Sequence, residues 1–348
     1  MEPNSGYLRL IRSAGERQGW LHAPGIIAAL SGGGDSVAML WLLRKVFNGR
    51  IIAAHLDHCT RNGASHDDAE FCRNLCTEWE IEYRPKVVDV ASVCLTGESF
   101  EMAARRIRYE HFYETADREK INFIAMGHSA DDRVETQLMN LFRGTGLEGL
   151  RGIPEKRDRI VRPIIDFRRG DLRDILRTAH VPWCEDASNA SNDYLRNRVR
   201  NELVPWVHNN MNRNFESVMI GLARQIDSEL TERSCETEKH LAEVVFDMPP
   251  SLTAWKTSPL KDISASMIIN MLRAQGVKLG LRTLSRSRTC ELVSLIKRGG
   301  FWRFQWSGDV EVCYSNRGVG WLHRCDVENA LAKNRQNNAK ESMPWWAR

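Results

Sequence analysis

The chain has 348 residues, of which 42% are hydrophobic and 27% are charged, and its 49 basic residues outnumber its 45 acidic ones by four. This composition predicts about two globular domains and excludes collagen-like, coiled-coil and wholly disordered proteins. The longest apolar stretch, residues 24–43, is interrupted by a polar hexamer, so no membrane helix is expected. Nine cysteines without a Cys-x-x-Cys pair, and no secretory signal pattern, indicate a reduced, cytoplasmic protein.

The first half of the chain alternates predicted strands with predicted helices. The predicted strands are residues 26–30, 51–56, 83–90 and 122–126, and the predicted helices are residues 37–46, 67–79, 100–116 and 131–142. This alternation predicts βαβ crossovers and therefore an α/β fold with a parallel, doubly wound sheet covered on both faces. Ligands bind such sheets at the carboxyl ends of the strands. Three of the four strands end there in polar clusters, at residues 31–36, 55–58 and 127–132.

The second half is predicted to be mainly helical. A glycine-rich loop at 143–152 precedes a strand-like segment at 160–165 and helices at 171–179, 194–207 and 214–245, the last ended by Pro249-Pro250. Further helices then lead to short strands at 301–306 and 310–314, joined by a turn at Ser307-Gly308. We expect a catalytic domain at 1–212, a long helical linker at 213–250, a smaller, mainly helical domain at 251–325 and a flexible tail at 326–348, whose Trp345-Trp346 pair is unexplained.

The hexamer Ser31-Gly32-Gly33-Gly34-Asp35-Ser36, here called the glycine loop, joins the first predicted strand to the first predicted helix. Its glycines permit a tight turn, and its serine hydroxyls and the helix N-terminus add hydrogen-bond donors, so it predicts a phosphate-binding site. The hexamer is neither a Walker A nor a dinucleotide-binding sequence. Aspartate in place of the Walker lysine favours pyrophosphate as a leaving group over γ-phosphate transfer. The alternative is a strand–helix turn with a serine N-cap.

The glycine loop resembles the signature of the PP-loop ATP pyrophosphatases, which split ATP between its α and β phosphates. Further motifs follow in order over roughly residues 26–206: His55-Leu56-Asp57-His58 with Arg61, Ala104-Arg105 with Arg108-Tyr109, Gly127-His128-Ser129-Ala130-Asp131-Asp132 with Glu135-Thr136, Arg143-Gly144-Thr145-Gly146-Leu147 with Gly149-Leu150, Arg162-Pro163, Glu185-Asp186 with Asn189, and Arg196-Asn197-Arg198 with Arg200. Together these motifs resemble one branch of that superfamily, the tRNA(Ile)-lysidine synthetase family. Cys59-Thr60 departs from the family, which usually has a small residue and Leu there.

The resemblance implies a two-step ligation on an isoleucine tRNA with a CAU anticodon. O2 of the wobble cytidine attacks the α-phosphate of ATP and releases pyrophosphate, and free L-lysine then attacks C2 and displaces AMP, which gives lysidine. The implied ATP-binding residues are Ser31, Gly32, Gly33, Gly34, Asp35, Ser36 and Asp57, and the implied catalytic residues are Asp35, Arg105, His128, Asp131, Asp132 and Glu135. Candidate Mg²⁺ ligands, chosen for their hard oxygens, are Asp35, Asp131 and Asp132. tRNA contacts are expected at Arg143, Arg196, Arg200, Arg282, Arg286 and Arg288. The sequence leaves a homodimer open.

Several of these residues have simpler interpretations. Asp131 and Asp132 alone would suit the N-terminus of a helix, and Arg105 and Arg108 could be solvated helix arginines. His55 and His58 with Cys72 and Cys76 could suggest zinc, although their spacing fits no common finger, and the two cysteines are better explained as buried small hydrophobes. For the whole protein, the alternatives are another enzyme of the superfamily, such as a tRNA 2-thiolase or an amidating synthetase, and a non-catalytic RNA-binding protein.

The segment 273–303 is the most basic part of the chain. It contains eight Lys or Arg residues against one acidic residue, Glu291, which leaves a local charge of +7. A face this basic attracts polyanions, and the region after residue 215 resembles the family's tRNA-contacting domain in length and basic character. We therefore expect tRNA phosphates to bind here, the alternative being a solvated surface that keeps the protein soluble.

Overall fold

The computed structural model describes residues 5–59, 64–185, 195–247, 249, 251–315 and 318–329. Arg61, Asp186, Asn189 and most of the predicted tail, including Trp345-Trp346, lie outside these ranges. The chain folds into two compact units, Met1–Asp227 and Ser228–Arg348. No helix within the described ranges combines the length and apolar character that a bilayer crossing requires.

The first unit contains a six-stranded sheet. Its strands are β1 (Gly25–Ala29), β2 (Arg50–Asp57), β3 (Glu82–Val87), β4 (Ile124–Ala125), β5 (Lys156–Arg157) and β6 (Ile160–Val161). They lie in the order β3-β2-β1-β4-β6-β5, and every pairing is parallel except that of β5 with β6. The predicted α/β fold with a parallel sheet is confirmed. Because β2 and β4 lie on opposite sides of β1, the strand order reverses there, and ligands bind such sheets at that point.

The helices of the first unit flank this sheet. They are α1 (Ser5–Gln18), α2 (Gly34–Val46), α3 (Ala64–Glu78), α4 (Phe100–Arg118), α5 (Ala130–Arg143), α6 (Leu147–Leu150), α7 (Arg169–Thr178), α8 (Leu195–Arg198), α9 (Val204–Asn210) and the first part of α10 (Phe215–Val244). A π-helical turn, Val199–Leu203, joins α8 to α9. Helix α1 was not predicted; it buries Ile11, Ala14 and Gly15, a contact that only the tertiary structure reveals.

The apolar run that includes β1 is explained by burial on both faces of the sheet. Ile26 and Ala28 pack into one cluster with α2, whereas Ile27 and Ala29 pack into another with Phe112 of α4. Alternate side chains of a strand point to opposite faces, so a strand that is covered on both sides needs apolar residues throughout. This packing holds the end of β1, and with it the glycine loop, in a fixed place.

The strand predicted at 160–165 ends early, at Val161. Pro163 has no backbone N–H to donate to a neighbouring strand. The chain instead turns, with the Ile165 N–H donating to the Arg162 carbonyl at 3.2 Å and the Phe167 N–H to the Ile164 carbonyl at 3.0 Å. These turns lead directly into α7, which therefore begins close to the carboxyl edge of the sheet.

The second unit combines the end of α10 with α11 (Thr257–Leu260), α12 (Ala265–Lys278), α13 (Arg286–Arg298) and a five-stranded antiparallel sheet. The strands are β7 (Val245–Phe246), β8 (Thr253–Trp255), β9 (Trp302–Ser307), β10 (Val310–Ser315) and β11 (Gly318–His323), in the order β7-β8-β11-β10-β9. Helices hold more of the described residues of this unit than strands do, as predicted, and the β9–β10 hairpin is present with Gly308 at φ +58° in its turn. The sequence did not predict β11, whose two glycines weaken its strand signal. Gly318 is required there, because a Cβ would lie 2.9 Å from the Trp255 carbonyl oxygen.

Candidate active site

The glycine loop follows β1 and is closed by Ser36. The Ser36 hydroxyl accepts a hydrogen bond from the Ser31 N–H at 3.1 Å and donates one to the Gly33 carbonyl at 2.9 Å. Gly32 has φ +88°, a conformation that favours glycine. Gly33 is the N-cap of α2, and no side chain caps that helix end. The first N–H groups of α2 therefore have no side-chain acceptor at this helix end, which leaves them available to an anion.

The end of β4 packs directly against this loop. At Gly127 a Cβ would lie 3.1 Å from the Ser36 Cα and 3.2 Å from the Ser36 nitrogen, closer than side chains normally approach. The absence of a side chain at Gly127 thus lets the segment that begins α5 approach α2. This contact brings the polar clusters after β1 and β4 together, at the point where the strand order reverses.

Helix α5 begins with a capping box that involves one of the predicted acids. The Asp132 Oδ2 accepts hydrogen bonds from the Ser129 N–H at 2.9 Å and the Ser129 hydroxyl at 3.1 Å. The helix-capping interpretation is therefore correct for Asp132. Its other oxygen, Oδ1, faces three arginines, so the same side chain also belongs to a charged cluster.

This cluster, here called the acid cluster, consists of Asp35, Asp131, Asp132 and Glu135 with three arginines. Arg196 Nη2 lies 3.0 Å from Asp132 Oδ1, and Arg196 Nε lies 2.8 Å from Glu135 Oε2. Arg200 Nε lies 2.7 Å from Glu135 Oε1. Arg196 and Arg200 were predicted to bind tRNA, and the structure brings both to these carboxylates.

The third arginine of the cluster, Arg169, was missed by the sequence analysis. Its guanidinium lies 3.4 Å from Asp35 Oδ2, 3.1 Å from Asp132 Oδ1 and 3.4 Å from Glu135 Oε1, and its backbone N–H donates to Asp131 Oδ2 at 2.7 Å. A signal was available, because four acids gathered at one sheet edge require positive charge nearby. The Arg168-Arg169 pair follows the last parallel strand of the same sheet.

Burial and these ion pairs shift the pKa values in opposite directions. Burial raises the pKa of Asp35 to about 6, although Arg169 opposes the rise. For Asp132, burial alone would raise the pKa, but Arg196 and Arg169 outweigh it and lower the pKa of this carboxyl. Burial, with Arg162 as the second cause, lowers the pKa of His128 to about 4. At neutral pH His128 is therefore an uncharged imidazole, and its buried Nδ1 has no hydrogen-bond partner in the described part of the chain.

The end of β2 forms another side of the site. Asp57 is buried and accepts a hydrogen bond from the Cys59 N–H at 2.9 Å. His58 Nε2 lies 3.0 Å from Arg108 Nη2 on α4, so Arg108 is not a solvated helix arginine. Arg105 is exposed and stacks on Tyr109 at 5.0 Å, but its charge contributes to lowering the pKa of His128.

The zinc interpretation finds no support. Across the ranges that the structure describes, no three His, Cys, Asp or Glu residues are arranged to hold a metal ion. Cys72 and Cys76 are buried in the apolar core, which confirms that they act as small hydrophobes, and burial raises the pKa of Cys76 to about 12.

The remaining predicted tRNA contacts lie elsewhere. Arg143 is exposed in the last turn of α5, about 18 Å along the helix axis from Asp131. Arg282, Arg286 and Arg288 are exposed in the second unit, where Arg288 stacks on Phe304 at 4.6 Å.

Comparison with known proteins agrees with this geometry. A family model described as a PP-loop domain matches residues 8–207. The chain is 38% identical over 224 residues to the tRNA(Ile)-lysidine synthase of Clostridioides difficile, a match that covers 63% of this chain and 48% of that protein. It is 38% identical over 186 residues to the protein of the same name from Chlorobaculum tepidum, with 52% of this chain and 56% of that protein covered. The chain thus spans about half the length of the relatives it matches.

A solved structure shows the same fold. The U34-tRNA thiolase NcsA from Methanococcus maripaludis, with its [4Fe-4S] cluster, superposes with a TM-score of 0.54 at 20% identity, covering 64% of this chain and 78% of that one. At this identity the likeness concerns the fold alone. The glycine loop, the parallel sheet and the match over more than half of the chain together lead to one conclusion: this chain belongs to the PP-loop domain family.

Proposed function

We propose that this protein ligates lysine to C2 of the wobble cytidine in an isoleucine tRNA with a CAU anticodon, with ATP as the activating substrate. The observation that carries the proposal is the meeting of two features at one sheet edge. Asp35 of the glycine loop lies in the same ion-paired cluster as Asp132 and Glu135 of α5. A phosphate loop beside a set of carboxylates suits a reaction that first releases pyrophosphate and then admits an amine. The names of two relatives, which are 36–38% identical over 223–224 residues, support this substrate choice.

In the first step, the cytidine O2 attacks the α-phosphate of ATP and pyrophosphate leaves into the glycine loop. The open N-terminus of α2 and the hydroxyl of Ser31 would hold the leaving diphosphate, while Ser36 closes the loop behind it. Charge that develops on the α-phosphate needs nearby cations, and Arg105 and Arg108 of α4 are the residues that we assign to this role.

Mg²⁺ is expected to accompany ATP, and the cluster accommodates it only in part. Asp132 accepts hydrogen bonds at both oxygens, and Asp131 Oδ2 holds the Arg169 N–H. Asp35 has one described ion pair, at 3.4 Å, and fits a magnesium ligand best. Since Mg²⁺ is commonly held by one or two carboxylates together with substrate phosphates, one such ligand is sufficient. The ion would neutralise phosphate charge.

In the second step, the lysine amine must lose a proton and attack C2. His128 is a weak base, because its pKa is lowered to about 4. We therefore assign the proton to a carboxylate of the acid cluster. Asp131 is the least buried member of the α5 acids and faces the amine in our proposal, while Asp132 and Glu135 contribute negative charge behind it.

We further propose that the tRNA contacts Arg143 and the basic surface of the 251–325 domain. Within the segment 273–303, four basic side chains have described internal partners. These are Lys278 with Glu238, Lys297 with backbone carbonyls, Arg303 with Glu311, and the exposed Arg288 with the Gln305 carbonyl. Arg282 and Arg286 have no described ion pair and are exposed, so they join Arg288 as the proposed phosphate contacts. The ion pairs of Arg196 and Arg200 favour a role inside the site over one on tRNA. Because the proposed substrate is a tRNA, we expect the protein to act in the cytoplasm.

A labelling assay tests the proposal. Purified protein is incubated with ATP, radiolabelled lysine and tRNA bearing a CAU anticodon. We expect label to enter the tRNA only when ATP and the wobble cytidine are both present, with AMP and pyrophosphate as the products. Formation of ADP, or transfer of sulfur instead of lysine, would contradict the proposal, and binding of tRNA without any turnover would favour a non-catalytic RNA-binding protein.

A further inference from the structure

Arg169 forms ion pairs with both the glycine loop and the acids of α5, and no other described arginine pairs with both. Its Nε faces Asp35 of the glycine loop at 3.4 Å, and its Nη2 faces Asp132 at 3.1 Å and Glu135 at 3.4 Å on α5. The described ion pairs of the other two cluster arginines go to the α5 acids alone. The Arg169 side chain therefore spans the space between the glycine loop and the carboxylates of α5.

The backbone of Arg169 is held as firmly as its side chain. It is the first residue of α7, whose Leu172 and Leu176 are fully buried in the core. Its N–H donates to Asp131 Oδ2 at 2.7 Å, and the preceding turn is fixed by the Ala130 N–H, which donates to the Phe167 carbonyl at 2.9 Å. The Arg169 side chain is only 15% exposed. Arg169 is thus a fixed element of the site, in contrast to a mobile surface arginine.

A guanidinium has properties here that an ammonium group lacks. It is planar, and its separate N–H groups can face two acids on different sides, whereas the compact charge of lysine favours one partner at a time. Asp35 and Asp132 also repel each other, and the guanidinium lies between them. The geometry therefore requires the shape of arginine as well as its charge.

We propose that Arg169 is a positioning residue that holds Asp35 close to the acids Asp132 and Glu135. It thereby fixes the position of the glycine loop relative to the acids of α5, where we place the lysine amine. The inference rests on the proposed function, because it assigns one residue to both half-reactions of that ligation. Nothing in it requires Arg169 to touch a substrate.

The test compares Arg169→Lys and Arg169→Gln with the wild-type protein. The matched control is Arg177→Lys, which alters an exposed arginine on the same helix, paired with Asp174 at 2.8 Å. Binding of magnesium with a non-hydrolysable ATP analogue is measured by calorimetry without tRNA or lysine, and ligation is measured as kcat and KM for lysine. We expect Arg169→Lys to fold, to bind the analogue about tenfold more weakly and to lose at least about tenfold in kcat/KM for lysine, with the Kd for tRNA unchanged.

A double variant adds a second criterion. If Arg169 acts through Asp35, then Arg169→Lys and Asp35→Asn should have non-additive effects on analogue binding, because both remove the same contact. Additive effects would overturn the proposal. So would an Arg169→Lys variant with wild-type binding and turnover, since charge alone would then be sufficient. If Arg169→Gln fails to fold, the lysine variant decides. Wild-type protein that never ligates lysine, together with weakened analogue binding in Arg169→Lys, would refute the proposed function while leaving the link to the loop in place.

Discussion

The raised pKa of Asp35 predicts that this acid destabilises the folded protein at neutral pH. Burial raises its pKa from 3.8 to about 6. The folded protein therefore binds this proton more tightly than the unfolded chain, so the contribution of Asp35 to stability falls as the pH rises from about 4 to about 6. At pH 8 the ionised carboxylate should cost about 3 kcal/mol. Asp35→Asn removes the charge and keeps the shape, and we expect it to stabilise the first unit by up to that amount.

The assay is urea unfolding of wild-type and Asp35→Asn protein at pH 4 and pH 8. The two proteins should unfold at similar urea concentrations at pH 4, and the variant should be the more stable at pH 8. Asp174→Asn, at an exposed ion pair on α7, should change stability by less than about 0.5 kcal/mol at either pH. Although it is more stable, the Asp35→Asn variant should release no pyrophosphate, as expected for an acid that is retained for function.

A stability difference that is the same at both pH values would refute this reasoning, because it would show that the ionisation of Asp35 has no cost. A variant that is less stable than the wild type at pH 8 would mean that the contact with Arg169 contributes more than burial costs.

Three other predictions concern separate parts of the molecule. Asp132→Ala removes one half of the capping box and one of the two carboxylates that three partly buried arginines share, so the free energy of unfolding should fall by about 2–4 kcal/mol in urea titrations. Gly127→Ala would place a methyl group 3.1 Å from the Ser36 Cα, and it should weaken binding of pyrophosphate by calorimetry at least about tenfold while the protein stays folded. Replacing both Arg282 and Arg286 by Ala should reduce the slope of log affinity for tRNA against log salt by about 2.

Each of these predictions has a control or a contrary outcome. Gly97→Ala, at a glycine with φ +82° and open space around it, tests backbone strain without a close contact, and it should leave pyrophosphate binding unchanged. Lys297→Ala removes bonds to backbone carbonyls and should lower stability without changing the salt slope. An Asp132→Ala protein as stable as the wild type would show that the arginines around it are solvated, and an unchanged salt slope would show that the basic surface does not face tRNA.

Several elements of the first unit follow from local sequence pattern. Apolar continuity identified β1 and β2, because strands covered on both faces need apolar residues at every position. The glycine loop was recognisable because three glycines and two serines between a strand and a helix are typical of a phosphate-binding turn. The acids of α5 were recognisable as a group because Asp131 and Glu135 lie one turn apart at a strand end.

Other features depend on contacts between residues distant in the chain. Helix α1 is defined by its packing on α2, and β11 by its antiparallel partners β8 and β10, which compensate for its weak strand residues. The ion pairs of Arg196 and Arg200 with the α5 acids were not predicted for the same reason: their acidic partners are 61–68 residues away. Charge alone does not distinguish an arginine that faces a phosphate from one that faces a carboxylate.

The sequence by itself indicated the kind of site: a glycine loop of the phosphate-binding type after the buried strand β1, and carboxylates after the neighbouring strand β4. Those assignments depend on periodicity and on residues adjacent in the chain, which are local properties. Only the tertiary structure decided that Arg169 joins the two groups, because its three acidic partners come from elements 34 to 134 residues away. It also decided the pKa of Asp35, because burial is a property of the folded chain, and no sequence pattern encodes how much water a carboxylate retains.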